Sequence, residues 1–305
     1  MTDNARRAEL GYSPACRRAI GVFFPPAIKA LMKRDWHGHE HVPGTGGAIL
    51  APNHLSYADF TAVALFSYQA GRFPTFLIKG SAFELAGLGT FLRAAGQLPV
   101  ERGQADAALV LKDAERQLAR GECVIVYPEG TATRDPDLWP MVGKTGVARL
   151  ALATGAPVIP IAHWGAQAIL PYGSTRPHLV PRATVQLRAG PPVDLSAFAG
   201  KPLDRTTLRE ATAVVMAEIT ALLQQLRGGQ PPAQPFDPVA ARRAAREAAQ
   251  APGGADSPGD SDSPGGADSP GGSERSGGTE SSGGSESPGG TESPGDPASS
   301  EAAPA

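Results

Sequence analysis

Residues 48–68 read AILAPNHLSYADFTAVALFSY. An apolar run from Ala48 to Ala51 gives way to a proline and a polar segment. Apolar residues then recur at helical spacing from Phe60 to Tyr68. A short apolar run closed by a breaker reads as a buried strand, and the periodic stretch after it as a helix. Further along, Thr75–Lys79, Gln97–Val100, Cys123–Tyr127, Val158–His163 and Thr184–Arg188 read as strands. Ala82–Ala94, Ala105–Arg120, Gly146–Ala153 and Thr206–Arg227 read as helices. Alternation of this kind predicts an α/β fold: a mixed, largely parallel sheet flanked by helices.

Composition divides the chain in two. The last 55 residues, from Ala251 to Ala305, contain no Val, Ile, Leu, Met, Phe, Trp, Tyr or Cys, and they hold 14 Gly, 8 Pro and 13 Ser. Such a segment buries too little to offset the entropy of ordering, so a disordered tail is expected, with a Gly/Pro-rich linker beginning at about residue 229. Residues 1–250 suffice for one sizeable domain. Of the 28 basic and 30 acidic residues, the tail takes one base and ten acids, so a body near +7 is joined to a tail near −9. A basic body favours anionic partners, among them an anionic membrane surface. With 6% aromatic residues and no stacking-platform motif, nucleic acid is not expected as a partner. The two cysteines, 107 positions apart, form no disulfide framework or zinc signature, which fits a reducing compartment. The polar start of the chain lacks a signal-peptide pattern, and no run nears the roughly 20 apolar residues that span a bilayer.

Residues 14–34, PACRRAIGVFFPPAIKALMKR, place Ile20, Phe23, Phe24, Ile28 and Leu31 at helical spacing beside Arg17, Arg18, Lys29, Lys33 and Arg34. Pro25-Pro26 is expected to break or kink the segment, giving a helix pair. A basic amphipathic pair lies in a lipid interface or packs on a domain core, and the pattern fits both. The expected domains are therefore 1–35, N-terminal amphipathic helices; 36–228, the α/β domain; and 229–305, linker and acidic tail.

Asn53-His54-Leu55-Ser56-Tyr57-Ala58-Asp59 carries the sharpest chemical signal. Within one ideal helix His54 and Asp59 would stand about 140° apart. With the helix starting near Ser56, His54 lies on the loop and Asp59 points back from the first turn. A carboxylate on one imidazole nitrogen leaves the other free to accept a proton. Ser56-x-x-Asp59 equally matches a capping box. A second element, Cys123 to Arg134 (CVIVYPEGTATR), ends a strand at a proline and puts Glu129-Gly130-Thr131 on the loop, where backbone N–H and hydroxyl groups suit an anion. A third, PVERG at 99–103, ends a strand near Arg102, whose planar fork suits phosphate. A fourth is VIPIAHWG at 158–165, an apolar strand interrupted by Pro160. Gly143-Lys144-Thr145 lacks the glycine of a P-loop, since Leu138 stands there. His37, His39 and His41 alternate, but a strand edge beside a turn accounts for them better than a metal site, and none is assigned.

In this order the four blocks resemble the glycerolipid acyltransferases, the PlsC-like 1-acyl-sn-glycerol-3-phosphate acyltransferase family, which is marked by NHxxxxD, a strand ending in arginine, EGT and a proline-bearing apolar block. The resemblance covers roughly residues 14–226. It implies a glycerol-phosphate acyltransferase-like fold, an acyl-thioester donor (acyl-CoA or acyl carrier protein as co-substrate, with no other cofactor), a lysophospholipid acceptor, and peripheral work at the cytoplasmic face of a membrane. His54 and Asp59 take the catalytic positions, and Asn53, Arg102, Glu129, Gly130 and Thr131 the substrate-binding ones. The family block usually continues Arg-Ser after EGT; here Ala132-Thr133-Arg134 follow, so Arg134 or Lys144 stands in.

The expected reaction is one-step acyl transfer to lysophosphatidate or another lysolipid or glycolipid hydroxyl, with His54→Ala and Asp59→Ala abolishing transfer and sparing the fold. Two competitors remain. Ser56 would act as nucleophile in a hydrolase, although no G-x-S-x-G elbow surrounds it. Alternatively the chain would be a non-catalytic lipid-surface module.

Overall fold

Both faces of the strand that opens the signature loop are covered, so every residue of β2 (Ala48–Pro52) is buried. That is the condition under which a strand reads as a continuous apolar run. The structure, a computed structural model, describes residues 12–100 and 104–250, the side chains of 104–110, 249 and 250 excepted. The acidic tail and Arg102 lie outside the described residues.

Seven strands form one sheet in the order β1-β7-β6-β2-β5-β3-β4. They are β1 (Lys33–His37), β2, β3 (Pro74–Lys79), β4 (Leu98–Val100), β5 (Cys123–Ile125), β6 (Val158–Trp164) and β7 (Thr184–Ala189). All neighbours pair in parallel except β6 and β7, so β1 and β7 run against the other five. In the centre Leu50 pairs with Ile125 on one side and Ile159 on the other. The helices are α1 (Pro14–Leu31), α2 (Asp59–Gln69), α3 (Leu88–Ala95), α4 (Gln104–Ala119), α5 (Gly146–Thr154), α6 (Ala166–Ile169), α7 (Arg205–Arg227) and α8 (Pro238–Gln250).

Strand alternation splits the core between the faces. Ile49, Val124, Val126 and Val158 pack with Leu118 of α4, Leu150 of α5 and Val215 and Ile219 of α7. On the opposite face Leu50, Ile125, Ile159 and Ile161 meet Val63 and Phe66 of α2. Each such aliphatic side chain, fully withdrawn from water, contributes about 1.5–3 kcal/mol. Outside α2, Ile28 and Met32 pack on Ala62, Leu65 and Ile169, so one stripe of the amphipathic segment docks on the domain. Its other side leaves Val22 64% and Phe23 72% exposed.

Two expectations are corrected. α1 is one helix and not a pair, continuing through Pro25 and Pro26. The prolines cost only the bonds that their N–H groups would give to Gly21 and Val22. The three alternating histidines do not share a strand face. His37 ends β1, and after Gly38, with φ at +90°, His39 and His41 sit in a 3₁₀ turn where the His39 ring packs on Phe66. At the end of the sheet away from the signature loop, buried Arg72 donates to the carbonyls of Pro43, Gly46 and Gly121, which ties three loops together.

Candidate active site

The carboxyl ends of β2, β5 and β6 lie side by side, where open α/β sheets bind ligands. The chain leaves β2 at Pro52 and crosses this edge as Asn53-His54 before α2 begins at Asp59. With Asp59 in the first turn, its carboxylate reaches back: Oδ2 lies 2.9 Å from His54 Nδ1. The same oxygen accepts from the backbone N–H of Leu55 at 2.6 Å and of Ser56 at 2.8 Å. The base–orienter pair and the cap are thus one arrangement. Ser56 is buried and its Oγ accepts from Ala58 N at 2.8 Å, which ties the turn leading into α2.

Asp59 is fully buried, and the His54 side chain retains 15% exposure. Three donors converge on Oδ2, and the contact from the ring sets its proton on Nδ1. Nε2 is then the nitrogen turned to accept a proton.

The backbone of His54 is held as firmly. Its N–H donates to Glu129 Oε1 at 2.8 Å, and its carbonyl accepts from Thr133 N at 2.7 Å. Glu129 Oε2 accepts from Met141 N at 3.1 Å. The loop after β5 therefore folds back on the histidine loop, and Glu129, buried at 3% exposure, is its clasp. Gly130 has φ at +67° and the Lys144 side chain lies across it, with Nζ 2.6 Å from where a Cβ would stand. A side chain there would be strained and would displace the lysine. Thr131 is half-buried, and Arg134 is exposed next to Thr133. Asn53 spends its amide on strand β6, donating to His163 O at 3.2 Å and accepting from His163 N at 2.8 Å.

Burial pushes the Glu129 carboxyl up to about 8; the N–H groups of Met141 and His54 oppose the shift and the charge of Asp59 adds to it. An acid whose folded pKa exceeds its unfolded value holds its proton more tightly when folded. Its stabilisation is complete below the ordinary value of 4.5 and is lost as pH rises through about 8. Urea unfolding free energy should therefore fall between about pH 5 and about pH 9 in the wild type, and the slope should flatten in Glu129→Gln. Equal slopes in the two proteins would contradict this assignment.

Three residues not singled out from sequence complete the site. The Tyr127 ring lies on His54, centroids 4.4 Å apart at 34°. Burial, then the charge of Asp59, raises the Tyr127 phenol well above its ordinary pKa, which keeps it neutral. His163 is wholly buried, with Nε2 2.8 Å from Asn53 O and 3.5 Å from Asp59 Oδ2. Thr133 is the third, through its bond to His54 O. A histidine inside the apolar run VIPIAHW was the one visible signal among them.

A family model described as Acyltransferase matches residues 33–164. An uncharacterized protein of Mycobacterium leprae is 29% identical over 174 residues, covering 53% of this chain and 45% of that protein. A chloroplastic 1-acyl-sn-glycerol-3-phosphate acyltransferase of Brassica napus is 30% identical over 154 residues, covering 48% and 42%. The chain spans about half the length of the curated relatives it matches. The crystal structure of the 1-acyl-sn-glycerophosphate acyltransferase PlsC from Thermotoga maritima has the same fold, with a TM-score of 0.55 at 21% identity over 70% of this chain and 81% of that one.

Proposed function

We propose that this chain, whose residues 33–164 match the Acyltransferase family model, is a PlsC-like glycerolipid acyltransferase that moves a fatty acyl group from an acyl thioester to the hydroxyl of lysophosphatidate. The observation that carries the reading is the 2.9 Å contact between His54 Nδ1 and Asp59 Oδ2 at the carboxyl edge of the sheet. His54 Nε2 takes the proton of the acceptor hydroxyl as its oxygen attacks the thioester carbonyl. The C–S bond breaks, and the thiolate leaves with the proton returned from the imidazolium. Asp59 stabilises that charged ring, a general-base contribution of about 10²–10⁴ in rate. The leaving thiolate makes a covalent enzyme intermediate unnecessary.

In this reading Lys144, across Gly130, and exposed Arg134 meet the acceptor phosphate with Thr131, and Arg102, outside the described residues, is proposed as a further phosphate ligand. Glu129 and Asn53 work one step back, holding the loop that carries His54. The donor, acyl-CoA or acyl carrier protein, enters as a co-substrate, and the reaction calls on no metal. No helix among the described residues is long and apolar enough to cross a membrane. The proposal places the chain at the cytoplasmic face through α1, whose exposed Phe23 borders an apolar groove of about 440 Å³ shared with Phe91 of α3.

The test is identification of the lipid product. Purified chain given acyl-CoA and a set of lysolipids should form phosphatidate from lysophosphatidate faster than any other diacyl product. A faster product from a lysolipid without a phosphomonoester would overturn the assigned acceptor. Turnover of acyl-CoA to free fatty acid, with acyl groups trapped on Ser56, would favour the hydrolase instead.

A further inference from the structure

Between α6 and β7 the chain makes an extended excursion, PYGSTRPHLVPRA at 171–183, that the acyl-transfer chemistry does not use. Every residue from Thr175 to Arg182 is exposed, and Val180, at 89%, is the most exposed large apolar side chain among the described residues. Leu179 precedes it at 41%, and Tyr172 stands out at 45%. Arg176 and Arg182 flank the aliphatic pair, and no acidic residue occurs from Gly165 to Val193. Exposed aliphatic side chains inside a cationic collar are unfavourable in water. They match a bilayer, in which lipid phosphates meet the arginines and the acyl boundary takes the aliphatic groups.

The excursion is fixed at three points. Arg182 donates to the carbonyls of Lys29 and Met32 at 2.8 and 3.0 Å, closing the C-terminal end of α1. His178 N donates to Ile169 O at 2.7 Å. The Tyr172 ring lies 6.0 Å from Tyr57, which in turn lies 6.5 Å from His54. A single folded loop thus runs from the candidate active site to the basic end of α1, where Lys29, Lys33 and Arg34 are also exposed.

We infer that residues 176–182 form a lipid-surface contact separate from α1: Leu179 and Val180 enter an anionic bilayer while Arg176 and Arg182 pair with lipid phosphates beside the mouth of the site. The inference rests on the reading that the acceptor is reached at a membrane, and its test requires no turnover.

The experiment uses the full chain and sedimentation with vesicles of phosphatidylglycerol or of phosphatidylcholine. Leu179→Asp with Val180→Asp should lower partition onto phosphatidylglycerol vesicles by about tenfold and leave the thermal midpoint unchanged. Partition at the wild-type level would overturn the inference, with α1 alone binding lipid or the loop belonging to a protein partner. Should the double variant melt early, Val180→Trp, at a site open to solvent, decides. After subtraction of the wild-type signal, its emission should shift to the blue on phosphatidylglycerol vesicles and stay unchanged with phosphatidylcholine. An unchanged emission on both would overturn the inference as well.

Discussion

Replacing His54 by alanine is expected to lower acyl transfer by about 10²–10⁴-fold while the thermal midpoint stays close to that of the wild type. Both halves of the expectation come from the geometry. Among the described residues the ring is the one imidazole at the edge with both side-chain exposure and an Asp59 contact, so its removal leaves acceptor and thioester side by side with no base. The loop is held through backbone groups instead: the N–H to Glu129 and the carbonyl to Thr133 are both present in alanine. The losses on the folding side are the stacked contact with Tyr127, a term of about 0.5–1.5 kcal/mol, and the ring's hydrogen bond to Asp59 Oδ2, which keeps the N–H groups of Leu55 and Ser56 as partners. Transfer rates in detergent-dispersed substrate, with calorimetry on the same preparations, measure the two effects separately.

Asp59 behaves differently, and two substitutions separate its roles. Asp59→Ala leaves the buried N–H groups of Leu55 and Ser56 without their acceptor, a cost of about 1–3 kcal/mol for each group. This variant should lose activity and stability together. Asp59→Asn keeps an oxygen where Oδ2 stands, so all three donors are still met, but the neutral amide cannot offset the charge of the imidazolium that forms at His54. It should retain most of the stability and still lose activity on the order of 10²–10⁴-fold, as when a triad carboxylate is made an amide. The capping contacts change the expectation read from sequence, that alanine at 59 would spare the fold. If Asp59→Asn kept wild-type rates, the carboxylate would be a cap and nothing more.

How far the sequence reached depended on the range of the interaction. β2, β5 and β6 are buried on both faces and advertise themselves as apolar runs, so their placement followed from local pattern. β1 did not, because Lys33, Arg34 and Asp35 at a sheet edge face solvent and only Trp36 turns inward. In the sequence, the charged start of that strand, Lys33-Arg34, reads as the end of the preceding helix. In the site, the His54–Asp59 contact spans five residues and could be argued from where a helix begins. The clasp from Glu129 to His54 N spans 75 residues, and the Asn53–His163 exchange spans 110. Neither leaves a periodic trace. A glutamate after Tyr-Pro on a loop reads as a solvent-facing acid or an acceptor contact until the fold closes over it.

The central claim is that a His54–Asp59 pair drives direct transfer to a lysolipid hydroxyl. It is tested most directly by following free thiol release from acyl-CoA with wild type and His54→Ala side by side, each with and without lysophosphatidate. The account predicts release by the wild type that rises strongly when lysophosphatidate is added, matched mole for mole by phosphatidate, and acceptor-dependent release lowered by about 10²–10⁴-fold in the variant. Wild-type levels of acceptor-dependent release from His54→Ala would contradict it.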